Sequence, residues 1–380
     1  MSAAREPPDL LICALSARAM ARSARRGGLR PAVIDAFADL DTRVAAVAWA
    51  KAPLRSDWRF EPAALLALAR GLAPPSVPLV YGSGFERDPE LLAALAEGRP
   101  LIGTPPTAFA RTLDPSLFAE ACHRFGLRHP ETRADPPSHP AGWLAKRRGG
   151  AGGGHVRPAA EVPVGTEEWY FQRQVPGIAV SLLLLCDGRG VVPLAITRQW
   201  TAPGRGFRFS GVSLPEDLPD AASEALRVAA ATLAVHFGVR GFASLDALFD
   251  GEHIWVLELN ARPTASLEAL ELATGASMLA LHRRAVEGIL PRQAPEPRRA
   301  AASEIVFVPE DCVMPDGFRW PRWAGDRTPG GTAIARNGPV ATVVATASEA
   351  SVARREVCRR RELLLARLRA AGAFATEQPT

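Results

Sequence analysis

The chain has 380 residues, 47% hydrophobic and 22% charged, with a formal net charge of +5; that length allows two or three domains, and the balance is that of an ordinary soluble globular protein. Aromatic residues are sparse at 7% and basic residues alternate with acids, which disfavours nucleic acid as a partner. Five scattered cysteines without a Cys-x-x-Cys pair, a charged, Pro-containing start and no apolar run of about 18 residues argue against a zinc site, a disulfide framework, a signal peptide or a membrane span, so a cytoplasmic location is expected.

In chain order, Asp9 to Ala14 reads as a buried strand, Ser16 as a cap for a helix over 17–26, and Gly27-Gly28 as its stop. Residues 30–35 form a second strand, and this β-α-β order implies a parallel sheet, continued by a strand at 44–49, a helix at 62–70, a strand at 78–81 and a helix at 89–97. Residues 1–100 are therefore expected to be a doubly wound α/β domain. Two polar features here are not taken as sites. Gly82-Ser-Gly-Phe-Glu86 follows a strand, where open α/β sheets bind ligands, but it is also simply a good turn. Asp35, Asp39 and Asp41 could hold a substrate amine or a ribose, yet read more simply as solvated loop carboxylates.

Helices are expected to Arg111 and over 115–125, the second stopping at Gly126, and a Pro-rich hinge over 135–140 leads into Trp-Leu-Ala-Lys-Arg-Arg-Gly-Gly-Ala-Gly-Gly-Gly-His-Val-Arg-Pro, residues 143–158. Lys146 precedes Gly149, Gly150, Gly152, Gly153 and Gly154. Such glycine density suits a backbone that adopts positive φ or approaches another group closely, and a polyphosphate is the natural candidate for bare amides beside basic side chains. A flexible, solvated basic loop is the competing reading. Lys51 and Lys146 are the two lysines among 45 basic residues, so a compact ammonium has been kept where arginine is otherwise the rule. The P-loop order and the dinucleotide fingerprint both fail, the latter because His155 replaces the last Gly.

Residues 168–175, 178–186 and 191–198 read as three antiparallel strands forming a lid, with main chain around Gln172, Gln174 and Val175 available to an adenine edge. A hairpin follows, turning at Asp250-Gly251. Alternation puts Glu258 and Asn260 on one face of its second strand, and the hairpin returns Asp246 towards them. Two carboxylates and an amide suit Mg²⁺, with Mn²⁺ as the alternative ion, held together with substrate phosphates. The competing assignment makes Glu258 a structural partner of Arg262.

Lys146 before a glycine loop, the Gln172-x-x-Val-Pro-Gly177 strand end, and Asp246 followed by Glu258-x-Asn260-x-Arg262 together resemble the ATP-grasp superfamily, and Glu-x-Asn-x-Arg is closest to its biotin-carboxylase-like branch. The resemblance covers about 101–290. It implies MgATP between two α+β lobes, with a lid over about 140–190 and a preceding domain at 1–100. It further implies a carboxylate joined to an amine through an acyl phosphate, with ATP on Lys146, metal on Asp246, Glu258 and Asn260, and the developing acyl phosphate on Arg262. This chain departs from the pattern in two places. The second phosphate-binding lysine has no counterpart beyond Arg111 near Asp114-Pro115, and Ala179 replaces the acid that takes the ribose. Arg198, read at a strand end facing the cleft, is the candidate replacement cation, against a solvated arginine.

The tail, 291–380, begins with a Pro/Arg-rich linker and continues with strands and a terminal helix. It resembles the C-terminal extension of ATP-grasp ligases encoded among one-carbon cofactor genes. The expected function is thus an ATP-dependent ligase with small carboxylate and amine substrates, and a homodimer is compatible with it. An ATP-dependent small-molecule kinase and a non-catalytic nucleotide-binding module are the alternatives.

Overall fold

A computed structural model describes residues 7–162 and 168–374. The first layer is a parallel sheet built from β1 (Leu10–Ala14), β2 (Pro31–Asp35), β3 (Ala48–Lys51), β4 (Leu79–Tyr81) and β5 (Leu101–Ile102), in the order β3-β2-β1-β4-β5. Its crossovers run through α1 (Arg18–Arg26), α2 (Leu40–Ala45), α3 (Pro62–Leu72) and α4 (Pro89–Ala96). Strands β1 and β2 are buried along their whole length, as a parallel sheet covered on both faces requires. β5 lies past residue 100 yet pairs with β4. Two local expectations fail. Ser16 caps no amide of α1; its hydroxyl donates to Asp326 at 3.2 Å. Residues 40–45, part of which read as strand, form α2, and the strand starts at Ala48, because Asp39 and Leu40 open a helical turn before the apolar run.

After α5 (Pro106–Leu113) and α6 (Pro115–Arg124), a small four-stranded sheet forms from β6 (Thr132–Arg133), β7 (Trp143–Arg147), β8 (Arg157–Pro158) and β9 (Trp169–Arg173), in the order β6-β9-β7-β8. This sheet carries Lys146 and the glycine loop. Of the three strands expected to form the lid, β9 alone belongs to it. β10 (Ile178–Asp187) and β11 (Val191–Thr201) lie in a large eight-stranded sheet instead. The reason is legible in burial: Val180 to Cys186 are all buried, which suits a central strand covered on both faces and not a half-exposed lid.

The large sheet continues with β12 (Phe209–Leu214), α7 (Asp220–Phe237), β13 (Arg240–Phe249), β14 (Ile254–Asn260), α8 (Ser266–Thr274), α9 (Met278–Val286) and β15 (Ala300–Phe307). Then come β16 (Cys312–Val313), β17 (Ala324–Gly325), β18 (Ala333–Ile334), β19 (Pro339–Ala347) and α10 (Ala350–Ala370). The strand order is β14-β13-β10-β11-β12-β15-β19-β17, so the tail extends the central sheet rather than forming a layer apart. Helix α7 packs Leu226, Ala230 and Leu233 against Leu182 and Leu184 on one face. On the other, Leu183, Leu185 and Phe242 meet Leu267, Leu270 and Met278 of α8 and α9.

His282 joins these layers. It is 1% exposed, its Nδ1 accepts from the Phe242 amide at 2.7 Å and its Nε2 faces the Ile102 carbonyl at 3.0 Å, so the neutral Nε2–H tautomer satisfies both. Gly241, at φ +81°, leaves room for the ring. Burial pushes the His282 pKa down to about 4, so the unfolded chain binds this proton more tightly. Its contribution is present above the unfolded value near 6.5 and is lost as pH falls towards 4. Denaturant titrations of wild type and His282→Leu should therefore differ by about 1–3 kcal/mol at neutral pH, with the gap closing as pH falls through that window. A gap independent of pH would contradict the neutral, hydrogen-bonded assignment.

Candidate functional site

Hairpin β13–β14 sets Asp246 directly opposite Glu258, and the register then slips so that Ala247 faces Val256. Leu257 is the extra residue of a bulge, and the bulge decides the site. In an unbroken strand Val256 would share a face with Glu258; here Val256 is buried in the core while Glu258 is exposed and Asn260 half-buried. The row extends across the sheet, since Ser181 opposes both Asp246 and Thr197. Gln199, two residues along from Thr197 and so on the same face, donates to Asp246 at 3.4 Å.

Asn260 Nδ2 donates to Asp246 at 3.0 Å and to Glu258 at 3.5 Å, while its Oδ1 accepts from Arg262 Nη2 at 3.3 Å. An amide N–H₂ thus stands between two carboxylates that otherwise repel. Burial, followed by the charge of Glu258, pushes the Asp246 carboxyl up to about 7. Lys146, near the end of β7, answers this electrostatically: burial pulls its pKa down, and Glu258 and then Asp246 oppose the shift. Two carboxylates and an amide are a hard-oxygen set too small to enclose a cation, and among the described residues no group of three or more His, Cys, Asp or Glu gathers to hold a metal. Such a set fits Mg²⁺ that keeps water and phosphate oxygens as its other ligands.

Arg262 does not pair with Glu258. Its Nε donates to Glu86 Oε1 at 2.5 Å, and both side chains are almost wholly buried. Glu86 Oε2 in turn accepts from the Gly84 amide at 2.7 Å. The Gly-Ser-Gly-Phe-Glu segment, which by sequence reads as a simple turn, is therefore the anchor of the hairpin end. Its position just beyond a parallel strand was the available signal. In the structure the Arg262 guanidinium donates to Glu86 through Nε and to Asn260 through Nη2; its place on a developing acyl phosphate is a proposal.

Arg198 opposes Val180 and so lies on the α7 face, away from Asp246, with Glu216 at 3.4 Å. Arg111 sits over the Phe237 ring at 5.5 Å. Gln172 is buried, donating to Thr132 at 3.1 Å, and the Gln174 amide is taken by the Gly142 carbonyl at 2.9 Å. Among the described residues, the amide of Val175 has no main-chain partner, which leaves it as the adenine-edge candidate of that span.

In the glycine loop a Cβ at Gly149 would lie 2.3 Å from the Glu86 carbonyl, and one at Gly153 would lie 2.0 Å from the Phe207 carbonyl. At Gly150 the obstacle would be the His155 ring, at 2.3 Å. Gly152 faces open space, and a Cβ at Gly154 would lie 4.0 Å from Arg208 Cγ. The close approaches are thus to other parts of the protein, and they hold the loop along a cleft of about 590 Å³ lined by Gly149, Gly150, Gly152, Gly154 and His155.

Residues 116–266 match the ATP-grasp domain family. This chain carries an ATP-grasp domain. It is 29% identical over 259 residues to the carbamoyl phosphate synthase large chain of Vibrio vulnificus, an alignment covering 60% of this chain and 24% of that one; the chain thus spans about a quarter of the length of the curated relatives it matches. The ATP-grasp fold is shared with the biotin carboxylase domain dimer of Hydrogenobacter thermophilus 2-oxoglutarate carboxylase, solved with MgADP and bicarbonate (TM-score 0.69, 12% identity, 90% of this chain and 87% of that one). It is shared equally with N5-carboxyaminoimidazole ribonucleotide synthetase of Thermus thermophilus (TM-score 0.67, 18% identity, 98% and 100%).

The Glu86–Arg262 pair yields a direct test of how the ATP-grasp hairpin is anchored. Glu86→Gln leaves a buried guanidinium without its counter-ion and should lower stability by about 3 kcal/mol in denaturant unfolding. Glu258→Gln should not, because Glu258 is not the partner of Arg262; with the repulsion on Asp246 relieved, the melting temperature without ligand should hold or rise.

Proposed function

We propose that the protein is an ATP-dependent carboxylate–amine ligase that activates a small carboxylate as an acyl phosphate, releasing ADP, and passes the acyl group to an amine with loss of phosphate. The observation that carries this reading is that Lys146, on the small sheet, feels the charges of Glu258 and Asp246, which Asn260 bridges on the large one. One cation beside an oxygen cluster is the arrangement a transferring phosphoryl group needs, since the protein's task is to place the phosphate and offset its developing charge. Lys146 and the amides of the glycine loop would hold ATP phosphates; Asp246, Glu258 and Asn260 would hold Mg²⁺. The metal, when bound, supplies Lewis-acid neutralisation of phosphate charge. Gln199 and Arg262 position the oxygen cluster, the first through Asp246 and the second through Asn260.

The likeness to a carbamoyl phosphate synthase and a carboxyaminoimidazole ribonucleotide synthetase supports an acyl-phosphate route over simple phosphorylation of a metabolite. Free cysteines and the lack, among the described residues, of a helix long and apolar enough to cross a membrane fit a cytoplasmic enzyme. A homodimer is consistent with the carboxylase neighbour, whose domain was solved as a dimer. A role in assembling a one-carbon carrier cofactor is the pathway reading, supported by the resemblance of the tail.

Lys146→Ala should raise the apparent Kd for MgATP by about tenfold or more without lowering the melting temperature, because its ammonium is held against its electrostatic preference in the unliganded protein. Lys146→Arg should restore affinity in part, a fork being a poor substitute for a point charge. Unchanged nucleotide affinity in calorimetry would remove the reading. Glu258→Gln should weaken Mg²⁺-dependent ATP binding and cut turnover, with partial recovery at high Mg²⁺. ADP release that requires both an acid and an amine distinguishes a ligase from a kinase.

A further inference from the structure

The cleft in front of the glycine loop runs past Glu86 and Arg87 to Ser16, Asp39, Asp326 and Thr328. There five carboxylates gather from distant parts of the chain. Four of them are accounted for. Asp35 accepts from the amides of Ala38 at 2.6 Å and Ala17 at 3.4 Å. Asp41 accepts from those of Asp326 and Arg327 at 3.2 and 2.9 Å. Asp326 and Glu268 share the buried guanidinium of Arg18, for which Gly325 leaves the space: a Cβ there would lie 2.7 Å from the guanidinium carbon.

Asp39 is the remainder. It is 3% exposed, caps no amide of α2 and, among the described residues, accepts no side-chain or main-chain hydrogen bond at its carboxylate. Burial, then Asp326, Asp35 and Asp41, push its carboxyl up to about 9 against the pull of Arg18. A carboxyl left this way stays protonated at neutral pH and ionises when a cation meets it. The chain's neighbouring cations are committed elsewhere: Arg43 donates to the Ala38 carbonyl and lies over Trp49, and Arg327 donates to the Ala324 carbonyl. The partner must come through the cleft, whose walls near this end include Phe37 and Trp58, their rings 6.3 Å apart.

We propose that Asp39, flanked by Asp326, receives the ammonium group of an organic amine whose carbon chain lies against Phe37 and Trp58. On the ligase reading, on which this assignment of role rests, that amine is the acceptor substrate. The two ends of the cleft then divide the chemistry, with amides and basic side chains for phosphate at the glycine loop and an anionic seat for the amine at the other end.

The probe pair is phenethylamine and its neutral isostere 2-phenylethanol, titrated into the full chain by calorimetry at about pH 8, where a primary amine is still an ammonium. Wild type should bind the amine at least about tenfold more tightly than the alcohol. Asp39→Asn should bring the two to parity while melting no lower than wild type, since the amide replaces a carboxyl that is neutral without a ligand. Asp57→Asn, on the same cleft but paired with Arg59 and Arg87, should keep the preference. Equal affinity of amine and alcohol in wild type, no binding of either, or a preference that survives Asp39→Asn overturns the proposal. MgATP titrated into the same samples separates the two readings: wild type that discriminates the amine but binds no MgATP sinks the ligase and leaves the ammonium seat standing.

Discussion

A guanidinium and a carboxylate, both almost without water, hold the site together. Arg262 leaves the end of β14, where the oxygen cluster sits, and Glu86 leaves the loop after β4 in the parallel sheet. Each would be prohibitively placed alone, and each is tolerable because the other is there. The pair does more than neutralise itself. It fixes the relation of the N-terminal sheet to the hairpin, and through Arg262 Nη2 it turns the Asn260 amide so that its N–H₂ spans Asp246 and Glu258. The same loop, at the Glu86 carbonyl, is what Gly149 packs against, so one short segment touches the hairpin, the parallel sheet and the glycine loop.

The electrostatics of the unliganded site are unfavourable because of the groups it gathers. Asp246 and Glu258 raise each other's cost, Lys146 is held against its own desolvation, and Asn260 compensates with a dipole where a charge would serve better. Such arrangements cluster where a ligand completes them. MgATP would bring positive charge to the carboxylates and negative charge to the lysine, relieving both at once. The acid cluster around Arg18 follows the same logic at the other end of the cleft, with four carboxylates paired internally and Asp39 left over.

The sequence by itself determined the local chemistry. The parallel order of β1, β2 and β4, the Lys146–glycine loop and the Asp246, Glu258 and Asn260 triad were all legible, because each rests on short-range signals: buried apolar runs, turn residues and alternation along a hairpin. Tertiary structure decided the counter-ions and the faces. Nothing near Arg262 in sequence names Glu86 as its partner, 176 positions away, and nothing near Arg198 shows that it points to α7 rather than to the cleft. The bulge at Leu257, which puts Val256 in the core and Glu258 outside it, depends on how β14 meets β13. Likewise β10 reads as a lid strand from its neighbours but is central because layers cover both its faces. Asp39 shows the limit most plainly: three aspartates in a loop read as solvated, and it took the packing of α1, β2, α8 and β17 around them to bury the carboxylates and leave one without a partner. Ion-pair choice and burial are properties of what the rest of the chain brings alongside, and that is not written at the residue itself.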